Sequence, residues 1–291
     1  MLRGRRQRGP KCGVRMLGAG LAALGLVCGA GCAPTPVALP EGVSASIYQQ
    51  RPDYGPRGLQ VTVINGSDAA LTVTSAAYVS PRFAGSTVWD RATTVAPGAR
   101  VNLRVLLGTP VCDAELRGEV EISFTTADGR AGSATLDPLD EFSTLRKVTA
   151  EDCLSAGVAD VATIEVGTSI RTELRGGRLI GLIDATATPT GRAGTVAVAE
   201  VTRTILLRPE ADGATGWPLG WTVDASSGPV TTTLAFEPSN CNPHIVAEDK
   251  RGTFFPFLVS LGDGTSGTVC SGVSDEVRGQ IYSYIAEYCG W

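Results

Sequence analysis

Residues 59–74 run Leu59-Gln60-Val61-Thr62-Val63-Ile64-Asn65-Gly66-Ser67-Asp68-Ala69-Ala70-Leu71-Thr72-Val73-Thr74. Apolar side chains alternate with polar ones through Leu59, Val61 and Val63, and again through Leu71 and Val73. That period of two marks strands with one buried face. Asn65-Gly66-Ser67-Asp68 is a turn signal between them, so the stretch reads as a strand pair. Ala96-Pro97-Gly98 punctuates the chain ahead of an alternating run from Val101 to Val105. Asp128-Gly129 separates Val120–Thr126 from Ala131–Leu136 and is a hairpin signal, because both residues tolerate positive φ. Short strands at regular spacing indicate a sandwich or barrel.

The second half repeats the plan. Ala185–Thr188, a Pro189-Thr190-Gly191 turn and Thr195–Val201 mirror the first hairpin. Val101 stands 11 residues before Cys112, and Val230 stands 11 before Cys241. An Arg-Gly pair follows each cysteine (Arg117-Gly118, Arg251-Gly252), and a closing cysteine follows each glycine after 35 residues at Cys153 or 37 at Cys289. The second copy carries five additional residues between its first cysteine and the Arg-Gly pair. A C-terminal helix is expected from the Ser274 cap, with Val277, Ile281, Ile285 and Tyr288 on one face and Gly290 as the stop. A shorter helix is expected from Thr149, with Asp152 reaching back to its cap. The fold class is all-β: two tandem immunoglobulin-like β-sandwich domains, residues 43–160 and 161–291, with a short C-terminal helix.

The chain has 291 residues, 43% hydrophobic and 19% charged, which suits globular domains with real cores. Of its 25 basic and 29 acidic groups, six basic ones (Arg3, Arg5, Arg6, Arg8, Lys11, Arg15) fall in residues 1–31, leaving a body of net charge −10. An acidic body without a basic stripe lacks the footprint of a nucleic-acid binder. The basic stretch and the apolar run Met16–Gly31 have the order of a secretory signal peptide, residues 1–31. Gly29-Ala30-Gly31-Cys32 resembles a bacterial lipobox, departing from it at Gly29 where a larger aliphatic residue is usual. The resemblance implies lipidation at Cys32, residues 32–42 as a tether, and a place at the outer face of the cell membrane.

The turn and strand order resembles bacterial immunoglobulin-like envelope domains. With Cys241-Asn242-Pro243-His244, Glu248-Asp249-Lys250-Arg251-Gly252 and the Cys289-Gly290-Trp291 ending, the chain is also similar to uncharacterised lipoproteins of high-GC Gram-positive bacteria. No activity comes with that resemblance. In an oxidising compartment the five cysteines after Cys32 are expected to form disulfides. The repeat ranks Cys112–Cys153 and Cys241–Cys289 first, leaving Cys270 over. Cys241–Cys270 is the competing pairing and leaves Cys289 free.

Chemistry has few places to reside. His244 is the sole histidine, and Glu248, Asp249, Lys250 and Arg251 stand close to it. These residues form either a small binding or acid/base site or a solvated loop, and the solvated loop is the plainer reading. One histidine with flanking carboxylates falls short of a zinc motif, so no metal is assigned. Trp217 and Trp221, in Trp217-Pro218-Leu219-Gly220-Trp221, offer a stacking platform on a loop, or else cap the sandwich as core, as Trp89 in the corresponding region of the first copy indicates. No phosphate-cradling loop, dinucleotide fingerprint or Gly-x-Ser-x-Gly occurs, and no cofactor is assigned. The expectation is a non-enzymatic envelope lipoprotein that binds or scaffolds an unknown envelope protein or glycan. The alternatives are an envelope hydrolase using His244 with Glu248 or Asp249, and a purely structural spacer.

Overall fold

The computed structural model describes residues 37–249 and 251–291. The expected signal peptide and Cys32 lie outside the described residues. The first lobe contains β1 (Val43–Tyr48), β2 (Gly58–Asn65), β3 (Leu71–Val79), β4 (Phe83–Ala84), β5 (Val88–Trp89), β6 (Thr93–Val95), β7 (Arg100–Leu106), β8 (Thr109–Pro110), β9 (Glu119–Thr126) and β10 (Ala131–Leu136), followed by α1 (Thr144–Val161). The second lobe contains β11 (Ala162–Val166), β12 (Arg171–Arg175), β13 (Arg178–Pro189), β14 (Thr195–Thr202), β15 (Leu207–Pro209), β16 (Gly216–Asp224) and β17 (Val230–Pro238). It continues with α2 (Pro243–Ala247), β18 (Phe254–Leu261), β19 (Ser266–Gly272) and α3 (Asp275–Cys289).

Each lobe is a sandwich of two antiparallel sheets, and the two lobes share one strand plan. In the first, β1-β2-β7 faces β10-β9-β3, with β5 and β6 both pairing β3. In the second, β11-β13-β17-β15 faces β16-β14-β18-β19. These are the ABE and CFG groupings of an immunoglobulin-like fold. Registers place apolar partners side by side, as in Val61 with Leu103 and Ile183 with Leu234. Even the irregularities match: β3 slips register between Val73 and Ser75, and β14 slips between Val198 and Glu200.

Asp128-Gly129 makes the expected hairpin, with Gly129 at φ +83° and Thr125 paired to Ala131. The strand pair of residues 59–74 is different. β2 and β3 belong to opposite sheets, so Asn65–Asp68 arches across the core instead of folding a hairpin. The Asn65 side chain donates to the carbonyls of Ala69 and Val95 at 2.8 and 2.9 Å and holds that arch. The β13–β14 connection crosses in the same way. Alternation reports that a strand has one buried face; it does not say whether the next strand lies beside it or across from it.

α3 follows the sequence closely: the Ser274 hydroxyl accepts from the Val277 N–H, Val277, Ile281, Tyr284 and Ile285 are buried, and Gly290 closes the helix at φ +73°. α1 begins five residues earlier than expected. Its first amides, Thr144 and Leu145, are capped from upstream by the Asp140 carboxylate at 2.6 and 2.9 Å. Asp152 does not reach back to a cap; it turns outward to Arg57. The boundary expected after residue 160 falls at the end of α1, but the helix serves both cores. Val148 packs into the first core, while Leu154, Val158 and Val161 pack into the second.

Both expected disulfides are present, Cys112–Cys153 and Cys241–Cys289, with Cα atoms 5.6 and 5.5 Å apart. Each ties the segment after β7 or β17 to the helix that ends its copy. Such bonds belong to an exported chain in an oxidising compartment. No helix among the described residues is long and apolar enough to cross a membrane.

Candidate functional site

The segment Arg51–Arg57 between β1 and β2 is fixed from below by Asp53. This carboxylate is 1% exposed and accepts from Arg104 Nε at 2.7 Å, Gln60 Nε2 at 2.8 Å and the Gln50 N–H at 2.9 Å. Burial alone would raise its pKa, but these three hydrogen bonds together hold it below the ordinary carboxylate value. At the other end, Arg57 has φ +56°, a conformation that costs a residue with a Cβ roughly 1–2 kcal/mol. Its side chain offsets that cost through two hydrogen bonds to Asp152 on α1 and one to the Gly108 carbonyl at 2.7 Å.

This anchored segment forms one wall of a cleft of about 780 Å³. α1 contributes Glu151, Asp152 and Ser155, and the second lobe contributes Asp249, Arg251, Cys270, Arg278 and Tyr282. The Arg251 guanidinium lies 4.9 Å from the Tyr54 ring centre, a cation–π contact, and its Nη2 donates to Cys270 Sγ at 3.7 Å. Asp249 shapes the turn beneath. Its Oδ1 accepts from the N–H groups of Arg251 and Gly252, and its Oδ2 accepts from the Tyr282 hydroxyl at 3.1 Å. Burial, then the Asp249 charge, pushes the Tyr282 phenol up.

Cys270 is the free cysteine of the described residues and reaches solvent from the edge strand β19. Desolvation of its sulfur in the cleft pushes the thiol up, against a smaller downward pull from Arg251, so at neutral pH it stands as the thiol.

Of the polar cluster singled out around His244, Asp249 and Arg251 line this cleft, and so does the leftover Cys270. His244 and Glu248 are exposed on and just after the short α2, outside it. Asn242 caps α2 through the His244 N–H at 3.0 Å. His244 and Glu248 therefore do not share the cleft with Asp249, whereas a hydrolase built on the three requires one pocket. Trp217 and Trp221 stand on strand β16 and not on a loop; they are 7% and 6% exposed. Their indole N–H groups donate to the Ala235 carbonyl and the Thr232 hydroxyl, so neither indole offers a stacking face to solvent. Among the described residues, no three His, Cys, Asp or Glu side chains are grouped to hold a metal ion.

The cleft itself was not legible from spacing. Its signal lay in the Arg51-Pro52-Asp53-Tyr54-Gly55-Pro56-Arg57 run, dense in turn formers, arginine and tyrosine, and in the unpaired Cys270.

No family model and no curated protein matches the chain. Among solved structures, it is similar to a protein of unknown function from Porphyromonas gingivalis W83, at 17% identity over 75% of this chain and 90% of that one, with a TM-score of 0.20. Red sea bream transglutaminase matches at 14% identity over 80% of this chain and 31% of its own, with a TM-score of 0.23. The YadV chaperone matches at 10% identity over 74% and 92%, with a TM-score of 0.22. At these scores the likenesses carry no argument about function.

Proposed function

We propose that this chain is an envelope lipoprotein, anchored through Cys32 at the outer face of the membrane, that binds its ligand in the cleft between the two lobes. It stands on this reading with the lipoproteins of high-GC Gram-positive bacteria that its sequence resembles. The observation that carries the reading is the cleft: about 780 Å³, within the usual size of a ligand site, with one wall anchored through Asp53 and Arg57 and a lining rich in polar groups. A spacer has no use for a strained arginine held in place by the Asp152 carboxylate and the Gly108 carbonyl. Two disulfides and a secretory N-terminus support the location. The ligand class was expected to be an envelope protein or glycan, and the dimensions favour a compact ligand over a broad protein face.

The test is purification of the chain from native membranes with its ligand, beside an Arg51→Gln variant. The expected result is an acylated Cys32 peptide by mass spectrometry and a retained molecule that the variant lacks. An unmodified Cys32 sinks the anchor, and equal retention by both proteins sinks the cleft as the binding site.

A further inference from the structure

We infer that the cleft takes an acidic saccharide, a sugar carrying a carboxylate or a phosphate, held at its anionic group by Arg51 and Arg251. This rests on the reading of the cleft as the binding site. The argument is a charge inventory. Of the four arginines lining the cleft, Arg57 is matched by Asp152 and Arg278 by Asp275, whereas Arg51 and Arg251 have no carboxylate partner among the described residues. Arg251 is nonetheless held in one orientation, by the Tyr54 ring on its face and Cys270 at its edge. A positioned guanidinium without a counter-anion, on a body of net negative charge, is a vacant fork for a two-oxygen anion. Asp249 cannot fill that role, since its oxygens already receive the backbone of residues 251–252 and Tyr282.

The rest of the lining selects for a polyhydroxylated ligand. Glu151 has no salt bridge and reaches the cleft as an acceptor, and Ser155 and Thr268 add hydroxyls that donate or accept. A hydrophobic anion would leave these groups without partners; ring hydroxyls satisfy them. The volume holds one or two pyranose rings.

Cys270 supplies a built-in reporter at the site. Alkylation of the full chain by iodoacetamide, followed at the Cys270 peptide by mass spectrometry, is measured with four probes: a glucuronyl disaccharide, glucose 6-phosphate, maltose and inorganic phosphate. Calorimetry gives each affinity. One or both acidic sugars should slow the labelling and bind at least tenfold tighter than maltose or phosphate, and which of the two does so identifies the anion. Arg51→Gln, an exposed position whose loss does not threaten folding, should weaken that binding about tenfold. Equal binding of maltose, equal binding of inorganic phosphate, or unchanged affinity in Arg51→Gln each overturns the inference. If no probe protects Cys270 but an envelope extract does, the saccharide is wrong and the binding cleft stands. If the extract also fails, both fall.

Discussion

Arg57 and Asp152 form a two-point ion pair, Nε to Oδ1 at 3.0 Å and Nη2 to Oδ2 at 2.6 Å, that links the β1–β2 segment of the first lobe to the inter-lobe helix α1. Both side chains are partly shielded, 30% and 15% exposed, and Arg57 also holds the Gly108 carbonyl. Arg57→Met should therefore destabilise the chain by about 1–3 kcal/mol, more than an exposed pair is worth. Arg57→Met combined with Asp152→Leu should cost less than the sum of the two single changes, measured by denaturant unfolding. Additive losses would mean that the pair does not couple.

Asp53 should govern part of the acid sensitivity. Its folded pKa lies below the ordinary value of 3.8, so its stabilisation is complete above that value. It is lost as pH falls from there through the folded pKa, because the unfolded chain binds the proton first. The urea midpoint should fall below about pH 4 in the parent. In Asp53→Asn the slope should be shallower and the stability at neutral pH lower by about 1–2 kcal/mol. An unchanged acid limb in that variant would remove Asp53 from the account.

The two disulfides close loops of 41 and 48 residues, each worth about 4 kcal/mol in the chain-entropy picture. Replacing either pair by serine should lower the unfolding free energy by about that amount, and replacing both by about 8 kcal/mol, half or more of a usual 5–15 kcal/mol. Non-reducing peptide mapping should recover Cys112 with Cys153 and Cys241 with Cys289. Recovery of Cys241 joined to Cys270 would contradict the structure.

Glu237 is fully buried on β17, with Arg208 Nη2 2.8 Å from Oε2 and Arg178 Nη1 2.9 Å from Oε1. Glu237→Ala strands two guanidiniums beside a void. They are partly exposed and recover some hydration, so the expected loss is about 2–4 kcal/mol, toward the lower end for a broken buried pair. Thermal unfolding of the variant checks it; a shift within error of the parent would show the cluster to be neutral.

Much of this architecture was legible because it is periodic. Alternation gave the strands, the doubled cysteine spacing ranked the pairings, and Ser274 with Gly290 marked both ends of α3. Three things escaped for physical reasons. The Asn65–Asp68 arch has the same residues as a hairpin turn, and only the partner sheet distinguishes them. α1 begins at a Ser143 in the left-handed region, with its cap supplied by Asp140, so the local cap rule pointed too late. The cleft joins Arg51, Tyr54 and Arg57 to Arg251, Cys270 and Tyr282, far apart in the chain, and no local pattern could bring them together. Trp217 and Trp221 illustrate the converse: a Pro-Leu-Gly spacer looks like a loop, yet β16 continues through it by a bulge, with Leu219 and Gly220 (φ +62°) opposite the single residue Ala199.

The helix shared between the two cores has a consequence for how a guest is received. A string between two beads lets them tumble, and any guest gripped by both must first halt that tumbling. Here the connector is an 18-residue rod sunk into each bead, bolted to one by sulfur and to the same side by a guanidinium. On the proposed reading the jaws arrive already set, so capture of a ligand would surrender little conformational freedom and a modest handful of contacts would suffice for tight retention.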